Sequence, residues 1–373
     1  MMIRFCKIGV LLLFAVLHSG VRGDLGKGAV RHPVEVAHPG ADHAGLSECL
    51  LVQLRGVDGQ SDEFHMDVDS VYCGDHQCAV VPVRLVWDEL GFYKRFELEP
   101  GIELEKGEGE PFLDTDYEQL HRVLSDREST LWNVPVEQYT ESSESEIDGV
   151  SGATVILGKS QYVAGAVWTC FNLWNWANGD VGSIIQEKTA EGCSLDELQR
   201  FLKNGSRRYK IFALEALTNR GSYDPDTLEI VLSHSFEERY DLQRLILNYV
   251  ENAGPNLYFS AIQDVLDEAD QRLRVMCLGS LLMTDYEIPK GCCKRLSERL
   301  FTWDSYQEID LLLKIVESKS GSDPAVVSRI TRLLDHSNFM IAHRAYWFLI
   351  GQKLSLPEEE KLEAFSAEHG NRL

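Results

Sequence analysis

From Asp148 to Thr154 the chain reads Asp-Gly-Val-Ser-Gly-Ala-Thr, two hydroxyls and a carboxylate set among small residues. Gly152 permits a tight turn or a close backbone approach that other residues resist, and Ala153 leaves the Thr154 hydroxyl unhindered. Two readings suit such a run. One is an ordinary Ser-Gly turn ahead of a helix. The other is a site for a phosphate-bearing cofactor, held through a hydroxyl and through the free N–H groups of a following helix. The acidic, serine-rich stretch from Thr140 to Glu146 reads as a solvated loop, open to a second protein.

Other residues able to do chemistry are few. Cys73 and Cys78 flank Gly-Asp-His-Gln between two strand-like runs, a spacing that suits either a cross-hairpin disulfide or a pair of free thiols. No second Cys or His pair stands at the spacing a zinc site requires. His32, His38 and His43 lie in a segment without Cys or paired acids, which makes a poor metal set. His121 has no visible acid–base partner and reads as a surface histidine. Gly-x-Ser-x-Gly, His-Glu-x-x-His, Walker and dinucleotide-binding fingerprints are absent.

The elements around these residues fall into two groups. Asp24 to Gly45 is rich in Gly, Pro, Ala and His and reads as a flexible leader, 24–45. Strand patterns follow at Leu50, Val52 and Leu54, then at Val68–Cys73, Ala79–Trp87 and Phe92–Leu98. The last two are joined by an Asp-Glu-Leu-Gly turn. Thr115 and Glu118 fit a capping box, and Tyr117, Leu120, Val123 and Leu124 form the apolar stripe of the helix it opens. A second helix is expected from about Ser160 to Asn178, stopping at Gly179. Strands with two helices over 46–180 make an α+β domain.

Beyond Cys193 no convincing strand pattern remains. Pro225, Pro255, Pro289, Pro324 and Pro357 recur at intervals of 30, 34, 35 and 33 residues, each before or at the start of a helical run. Between successive prolines lie two amphipathic stretches. The second members begin near Arg207, Glu238, Asp270, Asp304 and Asn338, with apolar sets such as Leu242, Leu245, Ile246 and Tyr249. A two-helix unit repeating near 33 residues predicts an all-α solenoid over 194–370, most like short HEAT-type repeats. The tetratricopeptide and ankyrin signatures are absent.

The N-terminus places Arg4 and Lys7 before the apolar run Ile8–Leu17, with Val21-Arg22-Gly23 after it. That order predicts a secretory signal peptide, 1–23, and an exported, periplasmic or secreted protein with no membrane-spanning helix in the mature chain. Its removal takes away three basic residues (Arg4, Lys7, Arg22) and no acids, moving the formal charge from −23 to −26. So acidic a surface repels nucleic acid and anionic lipid. Apart from Cys73 and Cys78, the cysteines of the mature chain are expected to be buried thiols acting as small hydrophobes.

The motif at Asp148–Thr154 resembles the signature Asp-x-x-(Ser/Thr)-Gly-Ala-(Thr/Ser) of the FMN-binding domain family, found in the electron-transfer subunits of the sodium-pumping quinone reductase and Rnf complexes. The resemblance spans about Glu48 to Gly179 and is strongest at those seven residues. It implies FMN carried on Thr154 through a phosphoester, with Asp148, Ser151, Gly152 and Ala153 as the recognition segment. A separate flavin transferase using FAD would install the group outside the cytoplasm of a bacterium. In many family members a Thr-Ser pair leads straight into the helix, whereas Val155–Lys159 intervenes here. Of the aromatics that follow, Trp168, Phe171, Trp174 and Trp176 fall at helical spacings that favour core positions over flavin contacts. On this reading the chain is an electron carrier rather than a stand-alone enzyme, and its helical repeats dock a redox protein partner. The reading from another class is a flavin-free interaction protein that binds a partner through those repeats.

Overall fold

The computed structural model describes residues 28–37, 46–56, 62–71, 80–129, 161–236, 240–303, 305–319 and 323–373. The chain divides into two compact units, Met1–Thr189 and Ala190–Leu373. No described helix is long and apolar enough to cross a membrane.

The first unit is built on a five-stranded antiparallel meander, β1 (Ala29–Ala37), β2 (Leu46–Leu54), β3 (Glu63–Asp69), β4 (Pro82–Asp88) and β5 (Tyr93–Glu97), in sequential order with β1 and β5 at the edges. Alternation decides the faces. Phe64, Met66 and Val68 of β3 and Val83, Leu85 and Trp87 of β4 turn into the core, while Glu63, Asp67 and Arg84 turn out and pair as Arg84–Asp67 (2.7 Å) and Arg95–Glu63 (3.0 Å). The core face is covered by α1 (Asp114–Ser125) and α2 (Val167–Asn178), with Val181 and Ile185 from α3 (Asp180–Gly192). This is an α+β arrangement of two layers.

Three expectations need correction. The segment read as a flexible leader carries β1, in register with the whole of β2. Its alternation (Val34 and Val36 against the core) is diluted in the sequence by Pro33, a residue tolerated on an edge strand and rarely elsewhere in a sheet. The third strand runs Glu63–Asp69 rather than Val68–Cys73, because the buried set begins at Phe64 and its polar alternates face outward. Helix α1 is capped two residues earlier than Thr115. Leu113 is the N-cap, and its N–H donates to Asp116 Oδ2 at 2.8 Å, so the carboxylate of Asp116 takes the role expected of Glu118. The buried stripe of Leu120, Val123 and Leu124 lies where the periodicity places it.

The first unit extends past the expected limit at 180 because α3 is anchored to the β4–β5 turn. Gln186 Nε2 donates to Leu90 O (2.9 Å), and Thr189 Oγ1 donates to Glu89 O (2.7 Å). Gly91, at φ +73°, and Gly182 meet there backbone to backbone. A Cβ built on Gly91 would lie 2.2 Å from Gly182 O.

The second unit is helical throughout its described elements. In order these are α4 (Leu195–Asn204), α5 (Arg207–Arg220), α6 (Pro225–Leu232), α7 (Tyr240–Asn252), α8 (Pro255–Glu268), α9 (Gln271–Met283), α10 (Cys292–Glu298), α11 (Tyr306–Lys319), α12 (Pro324–Thr331), α13 (Phe339–Ile350) and α14 (Leu356–His369). Pro225, Pro255 and Pro324 each open a helix at its first position, where the missing N–H costs nothing. Asp224, Asp270 and Asn338 are N-caps whose side-chain oxygens accept from backbone N–H groups at 2.8–3.0 Å. Helices α5, α7, α9, α11 and α13 pack each on the next, and α10 packs on α12 and α12 on α14. Ion pairs tie neighbours together: Arg207–Asp241, Arg274–Glu308 (2.5 Å), Arg344–Asp310 (2.7 Å), Arg299–Asp267 and Arg329–Glu298 (3.1 Å).

Candidate functional site

The residues singled out for chemistry, Asp148, Ser151, Gly152, Ala153 and Thr154, lie outside the described residues, as do Cys73 and Cys78. What the structure describes is the frame on either side of the motif. On the near side, α1 ends at Ser125 with Asp126 as its C-cap, and the Asp126 carbonyl accepts from Trp174 Nε1 at 2.7 Å. The Leu124 carbonyl accepts from Asn178 Nδ2 at 3.0 Å. On the far side the chain re-enters the core at Val163, which is fully buried and donates its N–H to Cys170 Sγ at 3.3 Å. Both flanks of the motif-bearing segment are therefore pinned to α2.

Helix α2 starts at Val167, later than the expected Ser160. The reason is Gly165, which holds φ +77°, a left-handed conformation that no α-helix can include, while its carbonyl accepts from Gly107 N at 2.7 Å. The helix stops at Gly179 as expected. Val167, the first residue of α2, stands thirteen positions after Thr154, so sequence adjacency does not bring the Thr154 hydroxyl to the free N–H groups of that helix.

The aromatic residues of α2 are mostly core. Phe171, Trp174 and Trp176 are buried, and Trp168 is half-buried, meeting Phe171 edge to face at 6.4 Å. Trp87 of β4 donates Nε1 to Ala177 O at 2.8 Å, tying the sheet to α2. Asn172 is 2% exposed; its Nδ2 donates to Asp69 O at 2.8 Å, while its Oδ1 accepts from no group among the described residues. An acceptor of this kind suits a ligand N–H, and Asn178 Oδ1 at the end of the same helix is likewise buried and without a partner among the described residues. Nothing in the sequence marked Asn172, since Asn175 and Asn178 share its helix and no motif sets one of the three apart.

His121 does have a partner. Its Nδ1 lies 3.1 Å from Tyr93 OH, and the two rings are 5.6 Å apart, while burial pushes the Tyr93 phenol upward. His32 belongs to β1, where Nε2 meets Gln53 Oε1 at 3.0 Å and Gln53 Nε2 donates to Asp62 Oδ2 at 2.5 Å. This is a structural hydrogen-bond chain; among the described residues no group of three or more His, Cys, Asp or Glu is placed to hold a metal.

Of the described cysteines, Cys170, Cys277, Cys292 and Cys293 are buried and Cys49 and Cys193 partly so. Burial pushes Cys170 and Cys277 up to about 12 from an ordinary value of 9.0. The sign follows from linkage: in the unfolded chain these thiols ionise above about 9, while in the native protein they stay neutral to about 12. Stability they contribute below pH 9 is therefore lost progressively as pH rises from about 9 towards 12. Iodoacetamide at pH 8.5 is expected to leave Cys170 and Cys277 unmodified in the native protein and to alkylate both in urea. Peptide mapping by mass spectrometry reads the outcome, and native-state labelling of either would refute their burial.

No protein-family model matches this chain, and no curated protein or solved structure matches it. The fold therefore defines it only as a two-unit protein, an α+β unit followed by a helical one.

Proposed function

We propose that this chain is an exported electron-transfer flavoprotein, with FMN linked through a phosphoester to Thr154 and a helical module that docks a redox protein. The observation that carries the reading is the run Asp148-Gly149-Val150-Ser151-Gly152-Ala153-Thr154 itself. Attachment would form a bond from Thr154 Oγ1 to the flavin-side phosphorus of FAD. The pyrophosphate bond of FAD would break, AMP would leave, and the hydroxyl proton would pass to a base on the transferase. Bound FMN supplies one- and two-electron transfer, while the protein supplies attachment, burial and tuning of the potential. A covalent link suits a compartment in which a dissociated cofactor would be lost, in keeping with the signal-like N-terminus.

For the helical unit we propose a HEAT-like solenoid. Prolines at helix starts, the serial packing of α5, α7, α9, α11 and α13, and ion pairs between residues 31–34 positions apart all support one repeating two-helix unit. One observation favours the flavin-free reading, in which this unit alone acts as a binding module. Met340, Trp347 and Ile350 are exposed along one side of α13, an apolar stripe of the sort that marks protein contacts.

The test is the intact mass of the protein exported together with a flavin transferase, beside Thr154→Ala. The wild type is expected to carry the added mass of FMN and the yellow colour of a flavin, and the variant neither. A colourless, unmodified wild type in the presence of an active transferase would overturn the carrier reading and leave the binding module.

A further inference from the structure

Where α6, α7, α8 and α9 meet, the helical unit leaves a small cavity. Its walls include Leu247, Val250, Ile262 and Cys277, and two polar side chains, Ser235 and Gln243, complete the lining. Both polar residues are buried, at 1% and 4% exposure. Gln243 Nε2 donates to the Ser235 carbonyl at 3.3 Å, which sets the orientation of the amide. Among the described residues Ser235 Oγ and Gln243 Oε1 have no hydrogen-bond partner. Two buried side-chain oxygens without hydrogen-bond partners are unfavourable, and they sit on the wall of one cavity.

The cavity leaves about 10 Å³ for the centre of a water-sized sphere, room for water and too little for an organic ligand. Two neutral oxygens and no carboxylate make a poor cation site, since hard cations take six or more oxygen ligands. A dry apolar cavity would leave both oxygens unsatisfied. We propose that this is an internal hydration site, in which one water accepts from Ser235 Oγ and donates to Gln243 Oε1. Ser235 lies in the turn that follows α6, and Gln243 in the first turn of α7. The water is then a second bridge across the α6–α7 joint, beside the direct amide-to-carbonyl bond.

The experiment is water-oxygen magnetic relaxation dispersion on the full chain, comparing the wild type with Ser235→Ala, Gln243→Met and the double variant. Each single variant is expected to lose one long-lived water, and the double variant no more than one. Chemical unfolding of the same set is expected to be non-additive, because one water serves both residues. Equal dispersion amplitudes in wild type and folded variants, or strictly additive stability losses, would overturn the proposal. Should the variants fail to fold, a high-resolution crystal structure of the wild type decides. Water density within hydrogen-bond distance of both oxygens supports the site, and a Ser235 hydroxyl donating directly to a backbone carbonyl sinks it.

Discussion

Replacing Glu308 by alanine is expected to destabilise the helical unit by roughly 3–5 kcal/mol, because it leaves a largely buried guanidinium without its counter-charge. Glu308 is 1% exposed, and its Oε1 accepts from Arg274 Nε at 2.5 Å, while Arg274 Nη1 reaches Ala269 O at 2.6 Å. The pair joins α9 to α11. Position in the fold sets the magnitude here, for surface pairs of the same chemistry do much less. Lys361–Asp335, with the aspartate 73% exposed, is expected to be worth no more than about 1 kcal/mol. Urea unfolding followed by far-ultraviolet circular dichroism separates the two cases. A Glu308→Ala midpoint indistinguishable from that of Lys361→Ala would show that the buried pair holds nothing.

Gly91→Ala is expected to cost about 2–5 kcal/mol in the first unit, from two sources that act together. A side chain at φ +73° carries a left-handed penalty of roughly 1–2 kcal/mol, and the overpacked contact adds about 1–3 kcal/mol. The contact cannot relax by moving a side chain, since the nearest atoms are the Gly182 carbonyl oxygen, Cα and carbonyl carbon. Gly182→Ala should cost less, about 1–3 kcal/mol, because its Cβ would come no closer than 2.9 Å, to Gly91 O, with Gly91 C at 3.8 Å. Once Gly91→Ala has displaced α3, adding Gly182→Ala should change little, so the pair is expected to be strongly non-additive. Thermal unfolding of the three variants checks the ranking. Equal, additive losses would mean that the two backbones do not touch.

What could be read in advance was whatever is written in a few consecutive residues. Pro225, Pro255 and Pro324 announce helix starts because their effect is on their own backbone. Asp270 and Asn338 do the same through bonds two or three residues ahead. The Asp88–Gly91 turn was legible for that reason too: Asp88 Oδ1 accepts from Leu90 N and Phe92 N within the turn itself. By contrast, β1 was hidden, since its identity comes from pairing with β2 and its pattern is interrupted by Pro33. Glu308 looked like any acid on an exposed helical face, and only the packing of α9 on α11 buries it. Gly91 and Gly182 gave no sign of each other across ninety residues of chain. The candidate site followed the same rule. Its seven-residue string was legible, whereas Asn172 and the anchoring of Trp174 to Asp126 depend on tertiary packing.

Among the described strands β1 and β5 form the two rims of the meander, and their make-up bears on how the protein behaves when crowded. An unpaired strand edge invites a neighbouring chain to extend the sheet, the first step towards aggregates. Here β1 carries Pro33 between Arg31 and Glu35, so that rim is charged and has one donor fewer. The opposite rim, β5, is only five residues long and presents Lys94, Arg95 and Glu97. The proline that obscured β1 in the sequence is thus also a gatekeeper. Pro33→Val would make the strand easier to recognise and the protein harder to keep in solution.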